Sequence, residues 1–233
     1  MIYTFTMVLF EASVTITFQK NKDDDKILLN TNSNLVIKSV IQNNIPLEYV
    51  VDYPLLIIHR LKDSDQDISS YPITINYLLH PIKYNTNGFY EYSDNCYFTK
   101  FEPNYAQMLL PYFDEICVRS TFSVKIRIPS NLVGISNMPV ETSTTIENET
   151  EIKFLPTPPM CTYLLAIFVG DFGFIEGLTK SGTPVRMYAE KSRENILEKH
   201  LKVAIFALEW MEEKMGVKYE LPILQLLSHP GIS

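Results

Sequence analysis

Between residues 12 and 18 every second side chain is apolar: Ala12, Val14, Ile16 and Phe18 alternate with Ser13, Thr15 and Thr17. Successive side chains of an extended strand point to opposite faces, so this period of two defines a strand with one buried and one wet face. Phe122, Val124, Ile126 and Ile128 repeat the pattern against Ser123, Lys125 and Arg127. Shorter apolar or β-branched runs predict further strands at 27–30, 35–41, 47–51, 55–59, 73–79, 95–101, 132–136, 150–155, 162–169 and 184–189. Turn chemistry separates them at Asn43-Asn44, Asn85 to Gly88, Pro129 to Asn131, Pro156 to Pro159 and Ser181-Gly182. Many short strands between polar turns predict a mainly β fold, a large antiparallel multi-sheet β-sandwich.

The pattern changes near residue 190. Leu197, Leu201, Ala204, Leu208, Met211 and Met215 recur at steps of three and four, which predicts one helix over 192–215. Ser192 is its expected cap, and Gly216 its end in a left-handed turn. A strand over 223–227 follows. One helix and one strand cannot bury their own apolar faces. The chain therefore reads as a β domain, 1–189, and the incomplete start of a second domain, 190–233. The helix's apolar stripe is expected to be exposed and open to association.

Composition excludes some functions. A formal charge of −7 with no basic run argues against nucleic-acid binding. The longest apolar run, 163–169, is far too short to span a bilayer, so no membrane partner is expected. The apolar N-terminus has no basic n-region and reads as a strand. Cys96, Cys117 and Cys161 are odd in number and show no C-x-x-C spacing, which suits reduced thiols and a cytoplasmic location. The acidic run Asp23 to Asp25 reads as a solvated turn, since the further ligands of a calcium loop are absent.

Chemistry-bearing motifs are missing. His59, His80, His200 and His229 are too scattered for an H-E-x-x-H helix. There is no G-x-S-x-G elbow, phosphate-binding glycine loop or dinucleotide fingerprint. The residues alone thus name no catalytic side chain and no metal ligand. They leave room for a stand-alone, non-catalytic β-sandwich that binds a peptide or protein partner.

Residues 99–122 read T-K-F-E-P-N-Y-A-Q-M-L-L-P-Y-F-D-E-I-C-V-R-S-T-F. They resemble T-Q-F-E-P-x-x-A-R-x-x-F-P-C-F-D-E-P-x-x-K-A-x-F of the zinc aminopeptidases of the aminopeptidase N family. Ser136 to Pro139 (S-N-M-P), Thr157 to Phe172 (T-P-P-M-C-T-Y-L-L-A-I-F-V-G-D-F), Pro184 to Tyr188 (P-V-R-M-Y) and the ending Y-E-L-P-I-L-Q-L-L-S-H-P keep the family order. The resemblance implies an N-terminal, mostly antiparallel β domain packed on a thermolysin-like catalytic domain, which opens near residue 190. In the family G-A-M-E-N, H-E-x-x-H and a distant Glu come later and complete the zinc site. The sequence stops before them, so no cofactor is expected in this chain and zinc only in the intact enzyme. The chain alone is expected to be inactive.

The resemblance also implies a site. The family's T-Q-F-E carboxylate, Glu102 here, binds the free α-amine of a peptide. An ammonium suits an anionic acceptor, because charge-assisted hydrogen bonds are short and strong. Fixing the amine sets its distance to the scissile bond and makes the enzyme an exopeptidase. Lys100 replaces the family's Gln at the same substrate end, where a cation repels the amine or pairs with Glu102. Gln107, Tyr112 and Ile116 depart from the family's Arg, Cys and Pro, while Arg119 keeps the charge of its Lys. Asp114 and Glu115 read as structural. The implied partners are a peptide N-terminus and either the missing catalytic domain or a second chain through helix 192–215.

Overall fold

A computed structural model describes residues 2–6, 10–18, 26–59, 71–83, 86–115 and 118–229. The Asp23 to Asp25 run, Ile116, Cys117 and residues 230–233 lie outside the described residues.

The strand with the clearest alternation, Phe10–Phe18, sits inside an eight-stranded sheet. Tyr71–Leu79 pairs with it antiparallel, followed outward by Leu35–Gln42 and Ile45–Pro46. On its other side lie Ile2–Thr6, then Ser123–Pro129 in parallel, then Glu149–Phe154 and Val140–Ile146. Ala12, Val14 and Ile16 are buried, as are Val124, Ile126 and Ile128, so both predicted apolar faces point into the core. A five-stranded sheet, ordered Val133–Ser136, Ile167–Gly170, Cys96–Lys100, Gly88–Ser93 and Ile82–Lys83, contributes to the same core. Phe10 joins the two sheets, its ring meeting Phe89 at 5.3 Å and Tyr97 at 5.2 Å edge to face. Lys26–Asn30, Leu55–His59 and Tyr49–Asp52 form a smaller sheet that adds Ile27, Leu29, Leu56 and Ile58 to that core. The fold is mainly β, in several largely antiparallel sheets, as the alternation predicts.

Phe172–Leu178, Pro184–Glu190 and Leu224–Ser228 make a further sheet, the last pair parallel. Helix α1, Leu197–Met215, packs on it. The helix begins later than predicted: 191–196 form a 3-10 turn, and Ser192 lies in that turn. Gly216 ends α1 at φ 68°, the left-handed conformation expected of it. The predicted stripe is not an exposed one over most of its length. Leu197 and Leu208 are buried, and Leu201 and Ala204 pack with Ile175, Met187, Ala189 and Leu226. Only Met211 and Met215 of that stripe are exposed.

The floor beneath α1 was hard to see in sequence. Strand Phe172–Leu178 contains two glycines, which weaken a strand signal. Gly177 allows close approach instead: a Cβ there would come within 2.8 Å of Ile205 Cδ1. Val140–Ile146 lacks an apolar alternation because, as an edge strand, it is exposed on both faces. The run 162–169 is not one buried strand. Thr162–Leu164 is a 3-10 turn with Leu164 exposed, and the strand starts only at Ile167.

Candidate functional site

Strand Cys96–Lys100 leads from the core to the segment that carries Glu102. Phe98 and Thr99 are buried, Lys100 is half-buried opposite Gly88, and Phe101 is buried again. The chain then swings outward, leaving Glu102, Pro103 and Asn104 exposed, and returns at buried Ala106. The excursion is closed by Tyr105 N–H donating to Phe101 O at 2.8 Å. Beyond it Leu109 and Leu110 are buried. Asn34 Nδ2 donates to Met108 O at 2.8 Å, and Tyr77 hydroxyl to Leu109 O at 2.9 Å. Asn30 and Tyr112 exchange two backbone hydrogen bonds, at 2.7 and 3.1 Å. Tyr112 hydroxyl also donates to Asp114 Oδ1 at 2.5 Å. Burial, then this bond, push the phenol upward. Gly88 permits the arrangement: its φ is +77°, and a Cβ there would collide with Met108 Sδ. Glu102 is therefore an exposed carboxylate on a turn held at both ends by core residues.

Other motif residues form a hydrogen-bond network that reaches this strand at Thr99. Thr99 Oγ1 accepts from Ile167 N–H at 2.8 Å and approaches Ile167 O at 3.2 Å. Ser136 Oγ donates to Ala166 O at 2.9 Å, while Asn137 accepts from Ala166 N–H at 2.8 Å and donates to Leu164 O at 2.7 Å. Gln225 Nε2 donates to Ser136 O at 2.9 Å and its Oε1 accepts from Tyr188 hydroxyl at 3.0 Å. Arg186 donates to that hydroxyl at 3.2 Å and to Glu176 at 2.8 Å. Motifs distant in sequence thus share one hydrogen-bond network from Thr99 to Glu176. Their role in it is positional.

A second cluster was not foreseen. The side chain of His229 is fully enclosed, its ring 4.6 Å from Phe98 and 4.8 Å from Tyr92. Its Nε2 lies 2.8 Å from Glu190 Oε1 and 3.8 Å from Cys96 Sγ. Burial lowers the imidazole's pKa, with the Glu190 hydrogen bond opposing. Burial raises the Cys96 thiol to about 11. A thiol held protonated is a poor nucleophile. Cys96 and His229 are 133 positions apart, and no local pattern could have paired them.

The resemblance implies zinc in the intact family enzyme, held by motifs that this sequence does not contain. Among the described residues no three His, Cys, Asp or Glu side chains gather into a metal-binding group. The enclosed imidazole of His229 already uses its Nε2 on Glu190. Among the described residues no helix is long and apolar enough to cross a membrane.

The sheets define a mainly β fold. A family model described as the peptidase M1 N-terminal domain matches residues 3–164, and the chain belongs to that family. Human endoplasmic reticulum aminopeptidase 1 is 38% identical over 133 residues, covering 57% of this chain and 14% of the relative. Aminopeptidase M1-B of Oryza sativa is 36% identical over 147 residues, or 62% of this chain and 17% of the relative. Puromycin-sensitive aminopeptidase of Caenorhabditis elegans is 33% identical over 137 residues, or 58% and 14%. The matched stretch thus spans about a sixth of these relatives' length or less.

Proposed function

We propose that this chain is the N-terminal substrate-anchoring part of a zinc metallo-aminopeptidase. Glu102 receives the α-ammonium of a peptide, Lys100 modulates that contact, and the chain alone does not hydrolyse peptides. The observation that carries the reading is the placement of Glu102: an exposed carboxylate at the tip of a turn fixed by Phe101, Ala106 and Leu109, beside the Thr99 network. A preset carboxylate binds an ammonium without first losing the freedom of a mobile loop. The sheet holding Pro184–Glu190 and Leu224–Ser228, with α1, serves in this reading as the opening of the catalytic domain. Cytoplasmic residence is part of the same proposal, supported by the buried free thiol of Cys96.

Titration by nuclear magnetic resonance tests the anchoring. A short peptide with a free N-terminus is expected to bind weakly, near millimolar, and its N-acetylated twin not to bind. A hydrogen bond to a charged group contributes about 1.5–3 kcal/mol, and the exposed setting selects the low end, so Glu102→Gln weakens binding roughly tenfold. Equal binding of both peptides, or no effect of the substitution, overturns the proposal. Chelator-sensitive cleavage of an aminoacyl reporter by the purified chain overturns the expectation of inactivity.

A further inference from the structure

Helix α1 is apolar on two faces. One packs on the sheet beneath it through Leu197, Leu201, Ala204 and Leu208. The other carries Val203, Phe206 and Trp210, which are 66%, 68% and 52% exposed. These three also recur at steps of three and four, so they form a second continuous stripe. A helix that is apolar on both sides is expected to be covered on both. Trp210 is the chain's only tryptophan, and aromatic anchors of this kind are enriched at interfaces.

The charges around this stripe select its occupant. Lys199, Phe206 and Glu213 are spaced by seven, so they lie in one row along α1, and all three are exposed. Lys199 and Glu213 each stand about 10.5 Å from Phe206 along the axis, at about 1.5 Å per residue. A twofold axis through Phe206 sets two α1 helices antiparallel. It brings Lys199 of one copy opposite Glu213 of the other, twice. Phe206 then meets Phe206, and Val203 meets Trp210 of the other copy. Every position in the stripe finds a complement in the same stripe, which is what a twofold interface between identical subunits requires.

We propose that this chain associates with a second copy of itself through the outer face of α1, with Val203, Phe206 and Trp210 at the centre and Lys199–Glu213 pairs at the ends. The inference is independent of amine binding at Glu102. The residues that carry it are not those of the stripe predicted from sequence, which the fold uses for its own packing.

Sedimentation of the full 233-residue chain over a range of concentrations, with Trp210 fluorescence followed in parallel, tests it. A monomer–dimer equilibrium is expected, with the emission shifting to the blue as Trp210 leaves water. Phe206→Glu is expected to raise the dissociation constant more than tenfold. Because Phe206 is exposed, that variant keeps its fold, which circular dichroism checks. Lys199→Glu and Glu213→Lys each weaken the dimer, and combining them restores it, because the reversed charges pair again. A monomer at all concentrations, a dimer indifferent to Phe206→Glu, or a charge-reversed double variant no better than the single ones overturns the proposal. The first result would leave this face to a different partner.

Discussion

Thr99→Val tests whether the network around Glu102 holds the strand in place. The two side chains have nearly the same shape, so the substitution removes a hydroxyl without opening a cavity. That hydroxyl accepts from Ile167 N–H at 2.8 Å, and both residues are buried. A buried donor left without its acceptor costs about 1–3 kcal/mol, so a loss of about 2 kcal/mol is expected. A chain of this size unfolds with a urea slope of about 2–3 kcal/mol per molar, which lowers the midpoint by roughly 0.7–1 M. Thr99→Ser keeps the hydroxyl and loses one methyl, worth about 0.8 kcal/mol. Urea unfolding followed by circular dichroism should therefore rank wild type above Thr99→Ser, and Thr99→Ser above Thr99→Val. A serine variant as weak as the valine variant, or a valine variant within 0.5 kcal/mol of wild type, where ~1 kcal/mol is the smallest expected loss, would refute the bracing argument. In the same reasoning Thr99→Val weakens amine binding while leaving Glu102 intact.

Gly88→Ala is expected to destabilise by about 2 kcal/mol, since a left-handed backbone costs a non-glycine residue about 1–2 kcal/mol and the new Cβ meets Met108; an unchanged melting curve would contradict this. Stability is also expected to fall with acid because of His229, whose pKa burial holds below the usual value of about 6.5. The unfolded chain then takes up the proton first, so unfolding free energy declines from about pH 6.5 downward. His229→Leu should remove that part of the decline between pH 7.5 and 5.5, and a variant with the wild-type slope argues against it. For Lys100→Gln, the loss of one opposing charge near the surface is worth up to about 1 kcal/mol. The variant should bind a peptide amine about threefold more tightly at low salt, with the gain shrinking at high salt; weaker binding counts against Lys100 as an opposing charge.

Much of the fold was legible because it rests on alternation. Ala12 to Ile16 and Val124 to Ile128 declare which face is buried before any partner strand is known. The strands that stayed hidden lack that signal for physical reasons. Val140–Ile146 has no buried face, and Phe172–Leu178 uses glycine where α1 comes close. The stripe of α1 was legible as a stripe, but whether it is covered depends on that hidden strand. Glu102 was reached through a resemblance, since an exposed Glu before a proline carries no distinguishing pattern of its own. The network from Thr99 to Gln225 and the cluster of His229 with Glu190 and Cys96 join residues far apart in sequence. Only the fold brings them together.

If Glu102 anchors a substrate, its carboxylate meets a peptide's terminal ammonium. The most direct measurement follows the side-chain carboxyl carbon resonance of Glu102 while leucinamide or N-acetyl-leucinamide is added. A saturable shift of that resonance with the free amine, and none with the acetylated compound, is the expected result. A Glu102 signal that responds to neither, while the free amine binds elsewhere on the chain, contradicts it.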